Sequence, residues 1–182
     1  MEKRLIIDWI PFEISRQQIN ESMKDPSKPL IVNGILQRAD AKNHNGRVYP
    51  QQTLMREADK YDSEFVRDRR AMGELDHPDS SVVNLKNVSH IVTDYNWDGD
   101  QLMGKIEILP TPSGNILKEL IKNGITVGVS SRGMGSLEQN GSVMEVQDDF
   151  ELLCWDFVST PSNPGSFMSV LQEGKETVTY DY

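Results

Sequence analysis

The amino-acid sequence predicts a mostly β, α+β domain in which a small antiparallel barrel or sheet carries helices packed on its outside. Three observations predict it. Short β-prone apolar runs recur between the turn signals Asn45-Gly46, Asp98-Gly99 and Asn140-Gly141. Only two stretches change to a spacing of three and four residues, so six or seven strands are expected beside two helices. The 182 residues, 37% hydrophobic and 26% charged, suffice for one domain with a buried core.

Taken in order, residues 1–29 read as an N-terminal appendage. The apolar run Leu5-Ile6-Ile7-Asp8-Trp9-Ile10 gives way to a polar stretch that closes on Asp25-Pro26-Ser27-Lys28-Pro29, where two prolines mark a boundary. A first core strand follows over 30–37, then a polar loop over 40–46. From Pro50, Leu54, Ala58, Tyr61 and Phe65 recur at helical spacing, and this helix is expected to end near Arg67. Residues 82–95 and 102–109 flank Asp98-Gly99-Asp100 and form a hairpin. A second helix is signalled by Ile116, Leu117, Leu120 and Ile121, with Ser113 as cap and Asn123-Gly124 as stop. The strand 125–131, a glycine-rich turn at 133–135, and strands at 143–146 and 150–158 complete the domain, which spans 30–165. Residues 166–182 form a C-terminal tail.

The charge balance narrows the function. With 19 basic residues against 28 acidic ones, a net charge of -9 and a pI near 4.8, the chain is not expected to bind nucleic acid through phosphate contacts. The cluster Arg67-Asp68-Arg69-Arg70 reads as a solvated helix end. The single cysteine, Cys154, cannot form an internal disulfide, and thiolate metal sites are excluded. No apolar stretch approaches the roughly 18 residues of a bilayer span, and the start is too short for a signal peptide. A soluble, cytoplasmic protein without a membrane partner is predicted.

The segment from Gly124 to Gly135 carries the chemistry. Period-2 alternation puts Ile125, Val127 and Val129 on one strand face and Thr126, Gly128 and Ser130 on the other. Ser130 therefore points away from the main apolar face, with Gly128 leaving room beside it, and Ser131 is the weaker nucleophile candidate. Gly133 and Gly135 permit a tight turn whose N–H groups, with those of Ser131 or Arg132, could stabilise an oxyanion. A strand ending in a serine-glycine turn is also a common structural element. Of the three histidines, His44 lies in a polar loop and His90 within a strand. His77 is held between Asp76 and the rigid Pro78, which presents its ring at an edge, although alone it reads equally as a surface residue. A third member would fix the imidazole tautomer. Asp156, a carboxylate on the face of Leu152, Cys154 and Val158, serves either this role or an ion pair with an arginine. His90 is the alternative. Three dispersed histidines provide no metal ligand set, and no organic cofactor is implied.

Four motifs, Asn45-Gly46-Arg47-Val48-Tyr49-Pro50, Gly73-Glu74-Leu75-Asp76-His77-Pro78, Val88-Ser89-His90 and Gly128-Val129-Ser130-Ser131-Arg132-Gly133-Met134-Gly135, occur in an order and spacing that resembles the prohead core (capsid maturation) proteases of tailed bacteriophages. The likeness covers about residues 30–165. It implies the compact, helix-wrapped antiparallel β-barrel of the herpesvirus assembly proteases. It further implies a serine endopeptidase, made as a self-trimming zymogen, that cuts scaffold or core and capsid proteins inside the prohead assembling in the host cytoplasm. Homo-oligomer formation is left open. The resemblance carries the catalytic base to His77 and the nucleophile to Ser130, while the matching late strand offers Asp156 as third member. A non-enzymatic capsid-assembly or scaffold protein built on the same barrel is the rival reading.

Overall fold

Left-handed glycines set two of the chain reversals. Gly99, at φ 60°, and Gly141, at φ 63°, adopt a conformation that side chains resist, and each joins two paired strands. The computed structural model describes residues 2–76, 78 and 80–159. Its strands are β1 (Arg4–Pro11), β2 (Ile31–Arg38), β3 (Arg47–Val48), β4 (Met72–Glu74), β5 (Val88–Asp98), β6 (Gln101–Ile108), β7 (Gly128–Gly135), β8 (Leu137–Asn140), β9 (Val143–Val146) and β10 (Glu151–Val158). Three α-helices, α1 (Arg16–Met23), α2 (Gln51–Tyr61) and α3 (Pro112–Lys122), complete a strand-rich α+β fold.

The apolar spacing read from Pro50 onward forms α2, which buries Leu54, Ala58 and Tyr61 and runs on into a π-helical turn over Asp62–Val66. α3 carries its predicted stripe, with Leu117 and Ile121 buried. Its cap is Thr111, whose hydroxyl accepts from Gly114 N–H, instead of Ser113.

The strands assemble as three sheets, ordered β1-β7-β10, β2-β6-β5-β4 and β3-β9-β8. A parallel bridge from Leu75 to Phe157 links the end of β4 to β10. The closed barrel that was expected is not formed: among the described residues no ladder joins β1 to β2. The reason lies on the outer edge of β1, where the Ile7 carbonyl accepts from Arg47 Nη1 at 3.0 Å and from Asn45 Nδ2 at 3.4 Å. Side chains, not a strand, cover that edge. Arg47 and Asn45 also reach the buried Asp8 carboxylate, at 2.8 and 2.7 Å, and Tyr49 donates its hydroxyl to the same group.

Residues 1–29 are packed differently from an appendage. β1 runs antiparallel to β7 from Arg4 opposite Gly135 to Pro11 opposite Gly128. Ile6, Phe12 and Ile19 share one apolar core with Leu30, Val129 and Phe157, so packing continues across the proline boundary. α1 was hidden in the sequence because Ile19 is its one buried residue, and its start rests on Ser15 accepting from Gln18 N–H.

Candidate active site

β7 lies between β1 and β10, and alternation gives its two faces different work. Val129 enters the main core, and Ser131, aligned with Asp8 on β1 and Trp155 on β10, points to the same side. Ser130 points to the opposite side, aligned with Trp9 and Asp156. On that face Leu5 and Ile7 form a smaller apolar cluster with Met134 and Leu153. The Ser130 hydroxyl is buried and has no hydrogen-bond partner among the described residues.

Two residues on, Arg132 projects from the same face and organises everything around it. Its guanidinium is buried, with Nε 2.7 Å from Asp156 Oδ2 and Nη2 donating to Asp156 Oδ1 at 3.1 Å. Nη2 also donates to Glu74 Oε2 at 2.9 Å, and Nη1 to the Ser80 carbonyl at 2.8 Å. Glu74 N–H in turn donates to Asp156 Oδ1 at 2.9 Å. One cation thus serves two buried carboxylates. Burial opposes the Arg132 charge, but Cys154, Asp156 and Glu74 outweigh it and hold the guanidinium firmly protonated. Burial pushes the Asp156 carboxyl up to about 6 against the pull of Arg132 and the Glu74 N–H, and it drives the Cys154 thiol well up.

Asp156 is therefore an ion-pair member, whatever else it does. A carboxylate has about four acceptor positions, and Oδ2 faces Arg132 Nε alone among the described residues. Oδ2 therefore keeps an unused acceptor position.

His77 lies outside the described residues, but the chain on either side of it is held. Asp76 N–H donates to the Phe157 carbonyl at 2.8 Å, and Asp76 adopts a left-handed φ of 63°. On the far side the Ser80 carbonyl takes the Arg132 bond. One flank is thus fixed to β10 and the other to the Arg132 side chain of β7.

His90 is placed elsewhere. Its Nδ1 is 2.7 Å from Ser89 Oγ, its Nε2 2.8 Å from the Trp155 carbonyl, and its ring meets Phe157 edge-on at 4.7 Å. With both nitrogens engaged in the core, it braces β5 against β10. Gly73 makes room, because a Cβ there would lie 2.2 Å from His90 Nε2. Burial depresses the His90 pKa to about 4. Because the unfolded chain takes up this proton first, the stability contribution is complete above about pH 6.5 and is lost as pH falls toward 4, by about 3 kcal/mol at most. Asp156, with its raised pKa, changes stability in the opposite direction over part of that window, so the difference between proteins is the readout. In denaturant titrations at pH 7.5 and 4.5, wild type is expected to lose more stability than His90→Gln; equal losses would contradict a neutral, buried His90.

The expected oxyanion turn is corrected. Ser131, Arg132 and Gly133 lie in the middle of β7, flanked by paired strands, and neither Gly133 nor Gly135 has a positive φ. Gly133 is small because Phe150 packs on it, 2.2 Å from where a Cβ would stand. The contribution of Arg132 comes from its side chain. The space at Gly128 is likewise filled, by the indole of Trp9. Alternation could have found the Arg132–Asp156 pair, since Arg132 shares the face of Ser130.

Comparison with known proteins gives a consistent result. The chain matches the family of prohead core protein serine proteases over residues 2–176. It is 32% identical over 168 residues to the prohead core protein protease of Enterobacteria phage T4, an alignment covering 90% of this chain and 78% of that protein. Its fold matches the structure of the bacteriophage T4 capsid assembly protease, gp21, with a TM-score of 0.78 and 28% identity over 88% of this chain and 100% of the other. The motif resemblance, the family match across nearly the whole sequence and the shared fold agree: this chain belongs to the prohead core protein serine protease family.

Proposed function

We propose that this protease cuts scaffold or core proteins and capsid proteins inside the assembling prohead, with Ser130 as nucleophile, His77 as general base and Asp156 as the carboxylate that orients it. The observation that supports this most directly is that Ser130 and Asp156, cross-strand neighbours, share one sheet face. The two flanks of His77 are tied to the same strands. In the proposed cycle Ser130 Oγ attacks the scissile carbonyl while His77 takes its proton, then returns it to the leaving amine. Asp156 acts from the open position on Oδ2, and Arg132 keeps it ionised despite burial.

The direct test incubates the protein with co-expressed scaffold, maps the cut sites by mass spectrometry, and probes Ser130 with a fluorophosphonate. Cleavage together with labelling at Ser130 supports the reading. A folded protein that neither cleaves nor labels favours the non-enzymatic assembly role. Asp156→Asn addresses the orienter, and turnover is expected to fall by up to about 10⁴, measured where circular dichroism shows the variant folded. Undiminished turnover in that folded variant would leave Asp156 with its ion-pair role only.

A further inference from the structure

With residues 131–133 inside the sheet, the developing negative charge beside Ser130 needs another donor, and Trp9 is placed to supply one. Trp9 is the register partner of Ser130 on β1. Its indole lies across β7 over Gly128, where a Cβ would be 1.5 Å from Trp9 Nε1. Gly128 has no positive φ, so the need for glycine there is space for the indole. His44 packs against the ring, with centroids 5.9 Å apart.

Trp9 Nε1 is buried and has no hydrogen-bond partner among the described residues. A buried N–H without an acceptor is uncommon and calls for a reason. Trp97 Nε1 is also unpartnered, so the missing partner does not carry the inference; the placement does. Gly128 and Ser130 are two residues apart on one face, about 6.6 Å along the strand. That spacing is of the order a carbonyl group spans between a nucleophile at Ser130 and a donor over Gly128, since an oxyanion donor works at about 2.7–3.1 Å.

We propose that the Trp9 indole N–H is an oxyanion donor of this protease, an inference that rests on Ser130 being the nucleophile. Ser130 Oγ bonds to the scissile carbonyl carbon, the carbonyl π pair moves onto oxygen, and the hydroxyl proton passes to His77. Trp9 Nε1–H donates a hydrogen bond to that oxygen. When the pair returns, the C–N bond breaks and His77 protonates the amine.

Three replacements separate this from a packing role. Trp9→Phe keeps a ring on Gly128 and removes the N–H, Gly128→Ala keeps the N–H and displaces it, and 3-benzothienylalanine at position 9 replaces N–H by sulfur at nearly constant shape. Each is expected to lower kcat by about 10²–10³, with KM within about threefold of wild type. The Trp9 indole ¹⁵N–H resonance is expected to move downfield when a fluorophosphonate modifies Ser130. That of Trp155, bonded to Gln37 Oε1 at 3.3 Å, serves as the internal control. A benzothienylalanine protein with wild-type kcat, while Ser130→Ala is inactive, would overturn the donor and leave the nucleophile standing. An active Ser130→Ala would overturn both.

Discussion

Ser130→Ala is expected to abolish proteolysis, with turnover falling by on the order of 10⁶, whereas Ser131→Ala keeps measurable activity. The two serines are adjacent but serve opposite faces of β7. Ser130 shares its face with Asp156 and Trp9, while Ser131 faces the core beside Asp8 and Trp155. No side chain of β7 can exchange these roles without a one-residue slip that would turn Val129 out of the core. Ser130→Ala should also fold normally, because the hydroxyl it removes has no partner among the described residues. Its melting temperature is expected to match or slightly exceed that of wild type. Cleavage of scaffold protein and the melting curve, measured on the same preparations, check both halves. An inactive Ser131→Ala beside an active Ser130→Ala would exchange the assignments.

The face of Ser130 was legible because a strand's side chains alternate strictly, and Val127 and Val129 identify the main-core side without any knowledge of the neighbouring strands. α2 and the hairpin around Gly99 were legible for the same local reason. What escaped depends on partners far along the chain. β1 lies more than a hundred residues from β7 in sequence, and nothing in its own composition announces the pairing. Gly133 and Gly135 read as a turn because glycine's use for conformation and its use for space look identical until Phe150 is seen packed on Gly133. Arg132 reads as one more residue of the glycine-rich segment, yet its guanidinium links β7, β10, the end of β4 and the carbonyl of Ser80. Alternation puts Arg132 on the face of Ser130 and Asp156, but its other partners, Glu74 and the Ser80 carbonyl, come from separate segments and are not legible in its sequence neighbours.

That same arginine gives the largest stability effect. Arg132→Met is expected to destabilise the fold by about 3–5 kcal/mol, the range for removing one partner of a buried ion pair, which lowers Tm by roughly 6–20 °C for a chain of this size. Glu74 and Asp156, with side chains 1% and 0% exposed, would then face each other without a cation. The Glu74 charge then adds to the burial that already raises Asp156 to about 6, so the Asp156 carboxyl would hold its proton more tightly folded than unfolded. A raised folded pKa means that stability declines as pH rises through the interval between the two values. The deficit of Arg132→Met relative to wild type is therefore expected to be smaller at pH 5 than at pH 8. Arg132→Lys should recover only part of it, because a single ammonium cannot reproduce the fork that meets Asp156 through Nε and Nη2 while reaching Glu74 and the Ser80 carbonyl. Neutralising both acids in the Arg132→Met background, with Glu74→Gln and Asp156→Asn, should raise Tm again and flatten the pH dependence, since the charges responsible are gone. An Arg132→Met protein that melts within about 2 °C of wild type at pH 8 would show that Asp156 is already protonated in the folded state. The ionised Asp156 required of an orienting residue would then be lost as well.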